Sequence, residues 1–137
     1  MYRFLDHPSE CLVEVQAGSA AEVFEQAARA LFEIMTDNEA IKQTLEFRVE
    51  LESPERNLLL IDWLNRLIFL HETENVFLSD FKIEVQQEES WKLNAEVRGE
   101  KIAERHERRS QPKSATYGQF EWIESDEGHR VRFVVDI

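Results

Sequence analysis

Acidic side chains near the two ends of the sequence are the residues best suited to chemistry. Asp136 falls on the outward-facing register of the last predicted strand, next to the carboxylate expected at Ile137. Carboxylate oxygens are the ligands that Ca²⁺ and Mg²⁺ prefer. If the turn predicted from Asp6 to Glu10 lies nearby, its carboxylates would complete a cation site. The same pattern also describes ordinary surface acids, so both interpretations stay open on pattern alone.

The other reactive groups lack the partners that catalysis or zinc binding requires. The sequence contains no nucleophile elbow, glycine-rich phosphate loop or His-Glu-x-x-His motif. Its histidines are widely spaced and none pairs with Cys11 at zinc-ligand spacing: His7, His71, His106 and His129. We interpret Cys11, which precedes an apolar pair, as a small buried hydrophobic residue.

The charge balance argues against direct nucleic acid binding. The chain carries 28 acidic and 16 basic residues, a net charge of −12, whereas binding to a nucleic acid backbone normally needs a basic face. The candidate basic patch is the segment Arg105–Arg109, which acidic residues flank, and we interpret it as a solvated loop. An acidic surface instead suits divalent cations or basic protein partners.

A central helix is predicted from Ser53 to Glu72, with Ser53 as N-cap and Pro54 at the first helical position. At ~100° per residue, its apolar side chains cover well over half of the circumference, so it must be covered on more than one side. Its apolar positions are Leu59, Leu60, Trp63, Leu64, Leu67, Ile68 and Leu70. The remaining stripe carries Asp62, Asn65, Arg66 and Glu72. Leu58 and Phe69 also fall on this stripe, where exposed apolar residues can mark a partner surface.

A second helix opens with the capping box Ser19-Ala20-Ala21-Glu22 and runs to about Asp37. One face is apolar and is formed by Val23, Phe24, Ala27, Leu31, Ile34 and Met35. The opposite face is polar, so this helix is expected to cover one side of another element and leave its other side in water.

The remaining segments alternate between apolar and polar residues, as half-buried strands do. These predicted strands cover residues 1–6, 12–15, 45–52, 80–86, 91–97, 113–124 and 129–137, and a charged loop is predicted from Gly99 to Pro112. We therefore predict an α+β fold, a two-layer sandwich in which a mostly antiparallel sheet has two helices packed on one face. The 137 residues are expected to form a single domain, 1–137, with the order strand, strand, helix, strand, helix and four strands.

Composition also bears on location. The apolar runs are too short to cross a bilayer, and the opening residues lack the apolar core of a signal peptide. A lone cysteine excludes an internal disulfide and fits a reducing compartment, so a cytoplasmic location without a membrane partner is expected. No oligomeric state is predicted.

Several motifs resemble the archease family, in collinear order over essentially the whole chain. The opening Tyr2–Glu10, Y-R-F-L-D-H-P-S-E, is similar to the family's Y-x-F-L-D-H-T-A-D. The segment Phe24–Asp37 is similar to F-x-x-A-x-x-A-L-F-x-x-M-T-D. Further similar segments are Asp62–Leu70, Gly99–Glu100, Glu104–Glu107, the K-S-A-T-Y of Lys113–Tyr117, and the C-terminal V-V-D-I.

The resemblance implies a protein cofactor rather than a stand-alone enzyme. Archeases assist the RtcB-type RNA ligase of tRNA splicing and RNA repair, by promoting guanylylation of the ligase and its turnover. They bind a divalent cation where the N-terminal motif meets the C-terminus. By position, the metal ligands would be Glu10, Asp136 and Ile137, with calcium favoured and magnesium or manganese as alternatives.

By the same resemblance, Lys113 would be the activating lysine that meets a phosphate or a partner carboxylate. Asp6 and His7 are also shared with the family, and Asp6 could be either a ligand or a turn cap. Two departures lie at this tip. The family's T-A-D is Pro8-Ser9-Glu10 here, and its T-Y-H-x-M becomes Thr116–Phe120, T-Y-G-Q-F.

Two other functions fit the residues less specifically. One is a metal-stabilised binding or chaperone-like adaptor module without a ligase role, which the apolar residues on the central helix stripe favour. The other is a metal-dependent hydrolase, for which the sequence offers no general base with a defined neighbour.

Overall fold

The computed structural model describes residues 1–5 and 10–137 and has the predicted order of elements. The helices and strands are β1 (Tyr2–Leu5), β2 (Glu10–Ala17), α1 (Ala20–Met35), β3 (Leu45–Ser53), α2 (Arg56–Glu74), β4 (Val76–Gln87), β5 (Trp91–Lys101), β6 (Ser114–Ser125) and β7 (Gly128–Asp136). A short 3₁₀ turn, Asn38–Ala40, follows α1. The predicted α+β class with antiparallel strands and two helices is confirmed.

The strands are divided between two antiparallel sheets rather than gathered in one. The terminal sheet has the order β1-β2-β7-β6, and the middle sheet has the order β3-β5-β4. Both helices contact strands of both sheets, so each covers apolar faces from the two. Alternation in a sequence identifies which side of a strand is buried but not which strands pair, and this explains why the division was not predicted.

Helix α1 begins as predicted and ends slightly earlier, at Met35. The hydroxyl of its N-cap, Ser19, accepts a hydrogen bond from the Glu22 N–H at 3.2 Å. The Glu22 carboxylate in turn accepts from the N–H of Gly18 at 2.9 Å, one residue earlier than in a standard capping box. The six predicted apolar positions of α1 are all buried.

Helix α2 begins later than predicted, and Ser53 is not its N-cap. Ser53 is the last residue of β3, where it pairs with Trp91 of β5. The N-cap is Glu55, which makes no side-chain capping bond. The prediction was wrong because the strand ladder extends to Ser53, and this leaves only Pro54 and Glu55 to connect the strand with the helix.

The core lies between the helices and the inner faces of the two sheets. The indole N–H of Trp63 on α2 donates to the Phe24 carbonyl of α1 at 3.0 Å, which links the helices inside it. The buried residues of α2 are Leu59, Leu60, Ile61, Trp63, Leu64, Leu67, Ile68 and His71. Over residues 1–5 and 10–137, neither helix is long and apolar enough to span a membrane.

Strand β6 contains an irregularity close to the predicted tip. Thr116 pairs with Val134 and Glu121 pairs with Arg132, so the four residues between them on β6 stand opposite Phe133 alone. We call this segment, Tyr117–Phe120, the β6 bulge. Gln119 adopts a left-handed backbone there, with φ of 56°. An extra loop of backbone is therefore pushed out of the edge of the terminal sheet.

Candidate functional site

Glu10 and Asp136 occupy directly opposite positions on neighbouring strands. They are Cα partners in the antiparallel ladder of β2 and β7, and Ser114 of β6 is the next partner of Asp136. Directly opposite Cα atoms in such a ladder lie about 4.5–5.5 Å apart. We call Glu10, Asp136 and Ser114 the carboxylate row. The start of β2 and the end of β7 thus converge, although Glu10 begins strand β2 instead of lying in the predicted turn.

A buried apolar layer supports the carboxylate row. Side chains alternate between faces, so Leu12 on β2 and its partner Val134 on β7 share the face of Glu10 and Asp136. Both are buried, although they point away from the helical side of the sheet. Part of the cover over Val134 is Gly118 of the β6 bulge. The row therefore rests on packed side chains.

The next layer on this face is a buried ionic cluster around Glu14. Its side chain is 1% exposed and accepts hydrogen bonds from Arg3 at 2.8 Å and Arg132 at 2.9 Å. Burial alone would raise the pKa of Glu14, but the hydrogen bonds from Arg132 and Arg3 outweigh it, so the pKa lies below its ordinary value. Glu14 thereby ties β1, β2 and β7 together.

Lys113 lies beside the carboxylate row. Its backbone N–H donates to the Asp136 carbonyl oxygen at 2.7 Å, and its side chain is exposed. Two residues later, Asn65 of α2 binds the Ala115 backbone twice: it donates to the carbonyl at 3.1 Å and accepts from the N–H at 2.8 Å. The amide of Asn65 thus closes the free edge of β6 as a paired strand would. Sequence reasoning placed Asn65 on a polar stripe but gave it no role.

The segment leading to Lys113 is anchored, contrary to the prediction of a solvated loop. Strand β5 continues through Lys101, and Arg105 binds both the Glu100 carboxylate and the Ala40 carbonyl. His106 is buried, with its Nε2 3.0 Å from Glu100 and its Nδ1 accepting from the Ala103 N–H. The prediction failed because a segment without periodicity can still be buried by individual polar contacts.

Glu100 is the acidic centre of this anchor. Burial would raise its pKa, but hydrogen bonds from Arg105, the Lys42 N–H and His106 dominate and lower the pKa to about 2. Arg109 pairs with Glu33 at 2.7 Å and with Glu107 at 2.6 Å. Internal carboxylates therefore neutralise much of the basic segment, which agrees with its interpretation as something other than a nucleic acid site.

The anchored segment also caps helix α1. The N–H groups of Arg109 and Ser110 donate to the carbonyls of Met35 and Ile34 at 2.9 and 3.0 Å. These are carbonyls that a helix end leaves without intrahelical partners. The position of Lys113 is consequently tied to the end of α1 as well as to β7.

Tyr117 stands on the exposed side of the β6 bulge, where the chain departs from the family motif. It is 46% exposed, and its ring centroid lies 5.4 Å from that of Phe120. The pKa of Tyr117 is raised, first by partial burial and then by the negative charges of Asp62 and Glu55. Tyr117 therefore lies within electrostatic range of the amino-terminal half of α2.

The remaining predicted site residues are distributed as follows. Asp6 and His7 lie outside the described residues. Ile137 is half-buried, and its side chain packs against the core. Cys11 packs against the core, as expected of a small hydrophobic residue, but it is half-buried rather than buried, and partial burial raises the pKa of its thiol.

The donors of the carboxylate row are of the kind that a hard cation requires, since both described acids offer oxygens. Within residues 1–5 and 10–137, however, no group of three His, Cys, Asp or Glu side chains could hold a metal ion. Glu10 and Asp136 thus supply two carboxylates side by side, and the metal-binding role of each stays a prediction.

Comparison with known proteins agrees with the fold and with the motifs. Residues 2–137 match the model of the Archease protein family. The chain is 35% identical to the protein archease of Methanothermobacter thermautotrophicus over 99% of this chain and 98% of the relative. It is 31% identical to the protein archease of Sulfolobus acidocaldarius over 99% of this chain and 98% of the relative.

Solved structures give the same result. The solution structure of a Methanobacterium thermoautotrophicum protein has a TM-score of 0.88 and 35% identity, with 99% of this chain and 98% of that chain covered. The crystal structure of an archease, possible chaperone, from Thermotoga maritima has a TM-score of 0.67 at 19% identity, with 97% and 94% covered, and shares the fold. The chain belongs to the archease family.

Proposed function

We propose that this protein is a cofactor of an RtcB-type RNA ligase in tRNA splicing or RNA repair, and that it promotes guanylylation and turnover of the ligase without being an enzyme itself. The observation that carries the proposal is the pairing of Glu10 with Asp136, beside the bond from Lys113 to the Asp136 carbonyl. These are the residues that the family motifs align with the working tip.

In this proposal the tip acts electrostatically. Glu10, Asp136 and Ile137 would hold a divalent cation, with calcium favoured over magnesium and manganese. The cation would supply positive charge that neutralises oxygen ligands of the partner. Lys113 places an ammonium group next to the same row, where it meets a phosphate or a carboxylate of the ligase. Asp6 and His7 are proposed to belong to the same tip.

The charge distribution supports a protein partner over direct RNA binding. The net charge is −12, and the basic segment is paired internally through Glu100, Glu33 and Glu107. An acidic body is attracted to a basic, RNA-handling protein and does not compete with it for the RNA.

Multiple-turnover ligation tests the proposal. RNA with a 3′-phosphate or cyclic phosphate end and RNA with a 5′-hydroxyl end are incubated with catalytic ligase, with and without this protein. We expect the wild type to raise turnover and guanylylation, and we expect Asp136→Asn and Lys113→Ala to abolish most of the gain. Asp126→Asn, in the exposed turn between β6 and β7, is the matched control and should behave as wild type. No gain with the wild type would reject the proposal.

Metal binding is tested separately by calorimetry. Ca²⁺, Mg²⁺ and Mn²⁺ are titrated into the wild type, Glu10→Gln and the Asp126→Asn control. The proposal expects a saturable heat with one of the cations that Glu10→Gln weakens and Asp126→Asn leaves unchanged. Equal heats for all three proteins would remove Glu10 from the site.

A chaperone-like adaptor without a ligase role is the second candidate. The observation that favours it is Phe69, which is 59% exposed on α2, and the related fold from Thermotoga maritima is described as a possible chaperone. Affinity capture separates the two candidates. Recovery of unrelated client proteins without the ligase supports the adaptor.

A further inference from the structure

Helix α2 and the start of β6 lie side by side and run in opposite directions. Asn65 binds the backbone of Ala115. The guanidinium of Arg56, nine residues earlier on α2, lies 4.0 Å from the centre of the Trp122 ring, seven residues later on β6. Residue numbers fall along α2 in the same direction in which they rise along β6. This antiparallel relation indicates which residues of α2 lie near the start of β6.

Extending the relation in the other direction predicts that Phe69 lies near Lys113. Phe69 follows Asn65 by about one helical turn, roughly 6 Å along the axis. Lys113 precedes Ala115 by two residues, roughly 7 Å along the strand. The two steps are similar in length and have the same direction, so the antiparallel arrangement predicts that Lys113 lies near the turn that carries Phe69.

The aromatic residues on either side of the Asn65–Ala115 contact, Phe69 and Tyr117, are unusually exposed. Phe69 is 59% exposed and Tyr117 is 46% exposed, whereas most large apolar side chains of the chain are buried. At ~100° per residue, Phe69 lies within the same narrow stripe of α2 as Asp62, Asn65 and Arg66. Aromatic residues are enriched at protein interfaces relative to the rest of the surface.

We propose that Phe69 and Tyr117 are aromatic anchors that a protein partner covers when it engages Lys113 and the carboxylate row. The inference rests on the proposed function and names the surface through which that same partner, the ligase, is held. The occupant is a protein surface with an apolar recess for each ring and an acidic side chain opposite Lys113.

Two observations favour this occupant. The anchors are continuous with the carboxylate row, because Lys113 bonds to Asp136 and Ala115 bonds to Asn65 between the rings. The local charge also differs from that of the chain: Arg66 and Lys113 are exposed cations, whereas the net charge is −12. A partner that covers this surface therefore meets positive charge near Phe69, whereas Tyr117 at the other end lies near the carboxylates of Asp62 and Glu55.

The same surface is poorly suited to RNA. Stacking platforms for single-stranded nucleic acid combine aromatic rings with a groove of cations that follows the backbone. Here Tyr117 lies within electrostatic range of Asp62 and Glu55, and these carboxylates would repel phosphates. A protein partner is the better match.

Binding measurements on surface variants test the inference. Phe69→Ala, Tyr117→Ala and the matched control Ile123→Ala are compared for affinity to the ligase and for gain in ligation turnover. Ile123 is 41% exposed on the same strand but far from Lys113, next to the β6–β7 turn. We expect each anchor variant to lose about tenfold or more in affinity, Ile123→Ala to change it by less than about twofold, and Tyr117→Phe to retain it because the ring is kept.

The outcomes separate this inference from the proposed function. If the wild type neither binds nor activates the ligase, the proposed function fails. If the wild type does both while Phe69→Ala and Tyr117→Ala match the control, the anchors are overturned and the proposed function stands. RNA binding that the anchor variants abolish, measured by fluorescence anisotropy without ligase, would also overturn the inference. Unchanged thermal unfolding of the variants confirms that affinity and not folding was altered.

Discussion

Glu10 and Asp136 face each other across one rung of the β2–β7 ladder. The ladder continues without interruption to the pair Ala17 and His129, so the rung is held by a long run of backbone hydrogen bonds. Asp136 is in turn held by the Lys113 N–H. The sheet therefore pre-organises the carboxylate row. A site ordered in this way loses little conformational entropy when a ligand binds.

The ionic cluster next to this rung provides a stability prediction. Glu14→Gln removes the charge that two arginines bind, and we expect a loss of about 3 kcal/mol in the free energy of unfolding at neutral pH. Glu121→Gln, which disturbs only an exposed pair with Arg130 at 3.4 Å, should cost less than about 0.5 kcal/mol. Urea unfolding followed by circular dichroism measures both. An equal loss of unfolding free energy in Glu14→Gln and Glu121→Gln would show that burial of the Glu14 ion pairs adds nothing to stability.

Glu100 gives a prediction with a defined pH window. Its pKa is lowered from 4.5 to about 2 in the folded chain. Its contribution to stability is thus fully present above pH 4.5 and is lost as the pH falls towards 2. We expect Glu100→Gln to be less stable than wild type at pH 7, and the two proteins to converge near pH 2. The exposed Glu104→Gln is the control, and urea midpoints from pH 2 to 7 provide the measurement. A difference that persists undiminished at pH 2 would contradict the assignment.

Much of the fold could be predicted because it depends on local signals. The capping serine of α1 and the alternating strand of residues 45–52 are both where the pattern placed them. The division into two sheets, the end of β3 at Ser53 and the burial of His106 were not predicted, because each depends on contacts between distant segments.

The candidate site shows the same limit. Asp136 and the acids of the Asp6–Glu10 turn were candidates from the residues alone, but only the family motifs combined Glu10 and Asp136 with Lys113, since nothing in their spacing brings them together. Asn65 was missed because its partner is the backbone of Ala115. Nearly every residue has the same backbone groups, so the sequence does not indicate which of them Asn65 binds. An asparagine inside an otherwise apolar helix is the one signal that could have suggested such a contact.

Asn65 therefore supplies a third prediction. Asn65→Leu leaves the N–H and carbonyl of Ala115 without their partners, and we expect a loss of about 2 kcal/mol in the free energy of unfolding. Hydrogen exchange at the Ala115 amide should accelerate more than exchange in β2. Asn65→Asp keeps an acceptor for the Ala115 N–H but removes the donor to its carbonyl, so protection of that amide should be partly retained. Arg66→Ala, on the same turn, is the control. Unchanged protection in Asn65→Leu would show that the edge is closed by other contacts.

The two glycines of the site region lead to opposite predictions. Gly99 lies where β5 passes the irregularity of β4, and a Cβ atom there would stand 1.8 Å from the Phe77 carbonyl oxygen. That oxygen belongs to paired backbone and cannot move without breaking the ladder, so Gly99→Ala should cost at least about 3 kcal/mol or prevent folding. A Cβ atom added at Gly118 in the β6 bulge would have Thr116 Oγ1 as its nearest neighbour, at 3.5 Å, which is an ordinary contact distance. Gly118→Ala should change stability by less than about 1 kcal/mol.

Thermal unfolding of both alanine variants, together with their soluble yield, distinguishes these cases. The expected result is a large drop in the midpoint for Gly99→Ala and nearly wild-type behaviour for Gly118→Ala. Since Gly99 is followed directly by Glu100, a destabilised β5 should also expose the His106 anchor and speed proteolysis of the segment leading to Lys113. Similar midpoints for the two variants would mean that β4 can shift away from β5, and that the close approach of Gly99 to Phe77 does not fix the register of the middle sheet.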